Sequence, residues 1–299
     1  MSEIRFLRDF PFRYGVLETV SPLVRRVVAH NPSPFTFKGT ATFIVGRGRV
    51  AVIDPGPDLN EHVEALLAAL AGETVEAILV THTHRDHSPA ARALQAATGA
   101  RTYGFGPHGG GSARRGPAVE EGGDLAFVPD VRTVEGDTLA TPGWRLTAVH
   151  TPGHTSNHLC FALAEERILF SGDHVMGWST SVIAPPDGDM AAYMRSLEKL
   201  LAREDALYMP THGPAIPDPK AHVRSFIAHR QERRAAILAR LRQGDRSIAQ
   251  LVAAIYVGLP ETLRAAAGRS VEAHLIELIE AGEVLADGPA GLDGRYRLR

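Results

Sequence analysis

The sequence predicts a layered α/β fold that ends in a small helical module carrying a two-stranded wing. Three observations carry that expectation. Short β-type runs alternate with amphipathic helical stretches as far as Arg242. Five of those runs end in tight Gly- or Pro-containing turns that hold residues able to bind a metal. Beyond Arg242 the pattern changes to short helices and then a pair of β-type segments. A chain of 299 residues with 44% apolar and 22% charged positions can bury one large core, or a large core and a small one.

Each element follows from local chemistry. Residues 39–45 and 50–53 are β-rich and meet through Gly46-Arg47-Gly48, a hairpin. Residues 60–71 read as a helix with Asn60 as its cap and Gly72 after it. Residues 77–80 form a buried strand. Ser88-Pro89, a cap and a first-turn proline, then open a second helix that ends at Gly99. Residues 104–123, GFGPHGGGSARRGPAVEEGG, have no periodicity and read either as a lid or rim over a site or as plain disorder. Strands follow near 130–133, 145–150, 159–163, 167–170 and 206–209, with helices over 190–202 and 220–242.

The tail has its own pattern. A short helix runs over 247–256, and one or two more fill 264–281, where Val271, Leu275, Ile276, Leu278 and Ile279 recur at helical spacing. Gly282 caps them, and 283–286 pairs with 295–298 across a turn. Helices closed by such a wing are the winged-helix pattern. The chain is therefore divided into a catalytic domain, 1–220, and a linker helix with a winged helix, 221–299.

Charge and cysteine content narrow the function. The net charge of -2 hides an asymmetry: from Lys220 onward there are 13 Lys/Arg against 9 Asp/Glu, a net of +4, which leaves -6 on the residues before. A basic tail points toward nucleic acid, although winged helices also pack or form homodimers. No apolar run reaches the length of a membrane span, and the opening MSEIRFLRDFPFRYG lacks the apolar core of a signal peptide, so the expected location is cytoplasmic, with no membrane partner. Cys160 is the only cysteine and sits between Leu159 and Phe161 as a small core residue. Any metal must be held by histidine and carboxylate.

The stretch THTHRDHSPA, 81–90, supplies that chemistry directly after a strand. Residues i and i+2 of extended chain point the same way, so His82 and His84 can share one metal, while Asp86 and His87 face another. The other strand ends deliver Asp54, His154, Asp173 and His212. A single zinc needs about three protein ligands and a water. His82, His84, Asp86, His87, His154, Asp173 and His212 are too many for it, and suit two metals about 3.5 to 4 Å apart that share a carboxylate.

His-x-His-x-Asp-His, followed in order by Pro-Gly-His, Gly-Asp and His-Gly and preceded by Asp54-Pro55-Gly56, resembles the metallo-β-lactamase superfamily of αββα hydrolases. The resemblance implies His82, His84 and His154 on one zinc, Asp86, His87 and His212 on the other, and Asp173 between them. It implies that Asp54 lies outside the ligand set and holds the 82–87 loop by hydrogen bonds. The chain departs from the pattern where Ser88-Pro89-Ala90 replaces a glycine-rich helix start and where Thr211 replaces a glycine. With its winged helix it is similar to the beta-lactamase-like protein two subgroup, whose animal member cleaves single-stranded RNA.

The expected cofactor is two Zn²⁺ per chain, with Mn²⁺ or Fe²⁺ as alternatives. Such a pair depresses the pKa of a bridging water and supplies hydroxide near neutral pH. A site charge of about +1 favours an anionic substrate. Asp86 at the metal and His158 are the candidate catalytic residues, with His158 read either as a proton donor or substrate contact or as a structural residue. Trp178, Ser179 and Thr180 line the pocket or pack in the core, His150 and His174 fit no ligand slot, and His108 is loop surface. Three function classes follow: a phosphodiesterase acting on single-stranded RNA, placed first; a hydrolase of small thioesters, lactones or related esters; and a non-catalytic regulator with structural zinc, disfavoured because structural sites are closed by four ligands.

Overall fold

The computed structural model describes residues 4–109, 122–244, 246–288 and 290–299. Strands β1 (Glu18–Thr19), β2 (Val24–Val28), β3 (Ala41–Arg47), β4 (Arg49–Ile53), β5 (Thr74–Leu79), β6 (Arg101–Gly104) and β7 (Val131–Arg132) form one sheet in chain order. Its pairings are antiparallel as far as β4 and parallel from there on. Strands β8 (Thr138–Thr141), β9 (Trp144–His150), β10 (Leu159–Leu163), β11 (Ile168–Gly172) and β12 (Leu207–Pro210) form a second sheet, ordered β12-β11-β10-β9-β8, with only β11–β12 parallel.

Side-chain alternation assigns the cores. Ala51 and Ile53 of β4 face the second sheet, while Val50 and Val52 face the helices α1 (Asn60–Ala69) and α2 (Ala91–Thr98) with Leu66 and Leu94. In β10, Leu159, Phe161 and Leu163 enter the core between the sheets, where Phe43 and Phe170 sit 5.1 Å apart. Cys160 and Ala162 turn the other way, onto α3 (Met190–Leu201) and α4 (Pro219–Arg242). Both sheets are thus covered on both faces, which is why their strands read as apolar runs. Each fully buried side chain of this kind stabilises the fold by about 1.5–3 kcal/mol. The result is the αββα sandwich.

The tail packs as a winged helix. Helix α5 (Ile248–Ile255) opens with a reciprocal capping box between Ser247 and Gln250, and α6 (Arg264–Glu280) is one continuous helix. Strands β13 (Val284–Ala286) and β14 (Tyr296–Leu298) form the wing. Helix α4 serves both cores, with Val223 and Phe226 in the sandwich and Ile237 and Leu241 in the tail.

Two helix starts differ from the sequence expectation. Asn60 does not cap α1; Leu59 holds that position without a side-chain bond, and Asn60 is already helical. Helix α2 begins at Ala91, because the Ser88 hydroxyl donates to Asp124 Oδ2 (2.8 Å) and caps nothing. Of the Gly-rich stretch 104–123, residues 110–121 lie outside the described residues, and the reading of a lid or of disorder falls there. Its ends are anchored: the Gly106 carbonyl accepts from Asn157 Nδ2 (3.1 Å), and Gly123 bridges to His84.

Candidate metal centre

Five strand ends converge at one edge of the sandwich. The turn after β4 presents Asp54, buried and held at φ 50°, a conformation uncommon outside glycine. Its Oδ1 accepts the Thr81 N–H at 2.8 Å. Its Oδ2 accepts from the hydroxyls of Thr81 and Thr211 at 2.8 Å each and from His87 Nδ1 at 2.9 Å. One carboxylate thus ties the ends of β4, β5 and β12 together. Thr211, where a glycine is usual, supplies one of those bonds.

Beyond β5, the segment 81–87 aims its rings at the convergence point. His82 Nε2 lies 2.9 Å from His84 Nδ1, and His154 Nε2, from the turn after β9, lies 3.2 Å from the same atom. Asp86 Oδ2 lies 3.0 Å from His212 Nε2, after β12, and 3.3 Å from His87 Nε2. Asp173, after β11, stands between the two sets: its Oδ2 is 3.4 Å from His212 Nε2, 3.5 Å from His87 Nε2 and 3.9 Å from His154 Nε2. Donor atoms in each of three groups, His82–His84–His154, Asp86–His87–His212 and His82–His87–Asp173, lie within 4.8 Å of one another.

Four of these rings are fixed from behind. The Nδ1 atoms of His87, His154 and His212 donate to Asp54, to the Val182 carbonyl (2.7 Å) and to the Gly39 carbonyl (3.2 Å), and His82 Nδ1 bonds Thr81 Oγ1 (3.1 Å). Each leaves Nε2 directed inward, the arrangement that orients metal-binding histidines. Thr40 Oγ1 donates to Asp86 Oδ2 at 3.2 Å. Nothing in the local sequence around Thr40 marks this role, because β3 delivers it from another part of the chain.

The donor set fits a divalent ion. His87 Nε2 and Asp173 Oδ1 are buried and make no hydrogen bond, each at a cost of about 1–3 kcal/mol unless a ligand satisfies it. Burial, and then neighbouring imidazoles, hold His82 and His84 well below the usual histidine range, as neutral donors. Burial would raise Asp86 and Asp173, but His87 and His212 outweigh it and hold both carboxyls well below their usual range. Burial would likewise lower His212, yet Asp173 and Asp86 push it up to about 10, and His87 is raised well above its ordinary value by Asp86, Asp173 and Asp54. Both shifts express the positive charge that the buried carboxylates call for at this point, the place a metal cation would take.

His158 sits behind the donors, in the structural position that is one of its two readings. It is fully buried; its Nε2 accepts the Asp173 backbone N–H (3.2 Å), so Nδ1 carries the ring proton and donates to Thr151 Oγ1 (2.8 Å). Both nitrogens are bonded within the protein, and the ring fixes the turn that carries Asp173. Gly172, at φ 52°, makes this approach possible, since a Cβ there would lie 2.5 Å from His158 Nε2. Cys160 is a buried thiol pushed up to about 12 by burial, a core residue as read. His108, expected on the loop surface, bonds Thr83 through Nδ1 (3.0 Å).

A cleft opens over the donors. One wall is Pro34, Phe35 and Thr36 from the β2–β3 connection; the other is Met176, Trp178, Ser179 and Val182 after β11. Trp178 stacks on Phe37 with ring centroids 4.9 Å apart at 16°. Among the described residues no lysine or arginine lines this cleft.

A histidine and carboxylate cluster able to hold metal, at strand ends of an αββα sandwich, defines a metal-dependent hydrolase. The chain belongs to the metallo-beta-lactamase superfamily, which it matches over residues 35–212, and residues 247–291 match the beta-lactamase associated winged helix domain. It is 31% identical to a beta-lactamase-like protein 2 homolog of Caenorhabditis elegans over 90% of this chain and 88% of that protein. It is 33% identical to an atrochrysone carboxyl ACP thioesterase of Paecilomyces divaricatus over 75% of this chain and 66% of that protein. A beta-lactamase domain protein from Burkholderia ambifaria shares the fold, with a TM-score of 0.81 at 21% identity over 98% of this chain and 97% of that one.

Proposed function

We propose that this protein hydrolyses thioesters or related esters of apolar acyl groups, using two divalent ions, zinc by preference. The observation that carries this reading is the cleft. Its walls are mainly apolar, with Thr36 and Ser179 as their polar members, and no described cationic side chain stands over the donors to receive phosphates. A fungal relative's name, an acyl carrier protein thioesterase, supports the same substrate class.

His82, His84 and His154 would hold one ion and Asp86, His87 and His212 the other, with Asp173 shared. When bound, the ions supply Lewis acidity and a nucleophilic water at neutral pH. The chain's own residues do the rest. Asp54, Thr40 and the Val182 carbonyl fix the donors before any substrate arrives. Phe35, Met176 and Trp178 exclude water from the acyl portion and set its orientation.

Single-stranded RNA is the second reading, supported by the winged helix and the net +4 of the tail. Within the tail Arg234 pairs with Glu277 and Glu283, Arg264 with Glu261, Arg269 with Glu272 and Arg297 with Asp287, pairs that leave the net +4 unchanged, while Arg230 is buried away from any phosphate. A turnover panel separates the two. Metal-reconstituted protein is given acyl-pantetheine thioesters of increasing chain length beside labelled single-stranded RNA. We expect thioester turnover that rises with acyl length and is abolished by His84→Ala. Cleavage of RNA with inert thioesters would make the second reading the correct one.

A further inference from the structure

Arg230 is a charged side chain only 3% exposed, on α4, where it reaches both domains at once. Its Nη2 donates to the Ser181 carbonyl, and its Nη1 reaches Ser270 Oγ on α6 of the winged helix at 3.4 Å. Its guanidinium carbon lies 5.3 Å from the centre of the Tyr193 ring on α3. An arginine buried without a carboxylate is compensated for its lost hydration only by such bonds. The carbonyl it holds belongs to the residue before Val182, whose own carbonyl accepts from His154 Nδ1 at 2.7 Å. The same segment is braced a second time, because Ser181 Oγ and Tyr193 Oη both donate to the His174 carbonyl, at 2.8 and 2.9 Å.

We infer that Arg230 is a positioning residue for His154, and that through it the winged helix helps set the geometry of the metal centre. The part of this inference that concerns metal affinity rests on the two-ion reading above. The path is short: Ser270, Arg230, the 181–182 peptide segment, His154. It gives the tail a task at the hydrolytic site that needs no nucleic acid. A guanidinium suits that task, since its rigid fork bonds two groups at fixed directions and it stays charged when buried.

The test uses the full-length protein with Arg230→Met, which keeps the bulk of the stem and removes the fork, and Arg230→Lys, which keeps the charge. The first readout needs no metal. In proton NMR of the metal-free protein, the low-field ring N–H of His154, assigned by its loss in His154→Ala, should exchange with solvent faster in Arg230→Met than in wild type. The second is cobalt(II) titration followed by visible absorption. Arg230→Met should weaken one cobalt site by about 10 to 100-fold and shift its bands, as expected when an outer partner of a ligand is lost, while the other site keeps its affinity. Arg230→Lys should recover part of both effects. Wild-type exchange and wild-type cobalt affinities in folded Arg230→Met would overturn the proposal; if that variant does not fold, the same result in Arg230→Lys would do so. Should wild type bind no cobalt while the exchange still quickens, the two-ion reading fails and the positioning of His154 stands.

Discussion

At the scale of single residues, the centre divides into donors and the groups that aim them. The donors were legible in the sequence because His82, His84, Asp86 and His87 fall within six positions and the others sit in strand-end turns. Thr40, the Gly39 carbonyl and the Val182 carbonyl were not, because only tertiary contact brings them to Asp86, His212 and His154. The two readings of His158 stayed open for the same reason: its neighbours in sequence do not reveal that Asp173 and Thr151 bond its two nitrogens. The donor set predicts two ions per chain by elemental analysis after reconstitution with zinc. A single ion held by four side chains would overturn the assignment. Asp54→Ala removes four hydrogen bonds but no direct ligand, so metal affinity should fall by about 10 to 100-fold in chelator competition, whereas His84→Ala should abolish turnover. An Asp54→Ala protein with unchanged affinity and stability would show that the carboxylate does not hold the loop.

At the scale of elements, strands were easier to read than helix ends. Strands β4, β5, β10 and β11 are covered on both faces and announce themselves as apolar runs, while a helix start depends on where one hydroxyl points, as Ser88 shows. Strand β2, VRRVV, escaped notice because its two arginines break the pattern; Arg25 is buried against Glu73. Helix α6 carries a testable consequence. His274 is 1% exposed with no hydrogen-bond partner on either ring nitrogen, and burial, with Arg230 nearby, lowers it to about 3. The unfolded chain takes up that proton first, near pH 6.5, so the full stability exists above about pH 6.5 and is lost as the pH falls toward 3. The loss amounts to about 1.4 kcal/mol per pH unit for this group alone. His62, on the buried face of α1 and lowered to about 4 by that burial, adds a parallel loss in the sandwich. Urea midpoints at pH 7, 6 and 5 should therefore fall less steeply for His274→Leu than for wild type, and equal slopes would refute the buried neutral state.

At the scale of the whole molecule, the question is what a winged helix contributes to a hydrolase whose cleft walls are mainly apolar. Helix α4 enters both cores, Ala273 of α6 belongs to the cluster that includes α3, and Arg230 joins Ser270 to the loop that carries Val182, so the two parts are built as one body. Four arginines of the tail, Arg234, Arg264, Arg269 and Arg297, pair with Glu277, Glu261, Glu272 and Asp287, which leaves its net charge of +4 for other uses. Salt separates these uses. Each phosphate contact with a single strand releases counterions, so log affinity falls against log salt with a slope of about -0.7 per contact. An acyl group held by Phe35, Met176 and Trp178 releases none. We therefore expect the KM for a long-chain acyl thioester to stay nearly constant between about 50 and 200 mM salt, the range over which a protein making several phosphate contacts loses orders of magnitude in affinity. Trp178→Ala should raise that KM and leave the metal content unchanged, since Trp178 walls the cleft and ligates nothing. A steep salt dependence of single-stranded RNA binding, with thioester turnover absent at every salt concentration, would assign the basic tail to nucleic acid and return the RNA reading to first place.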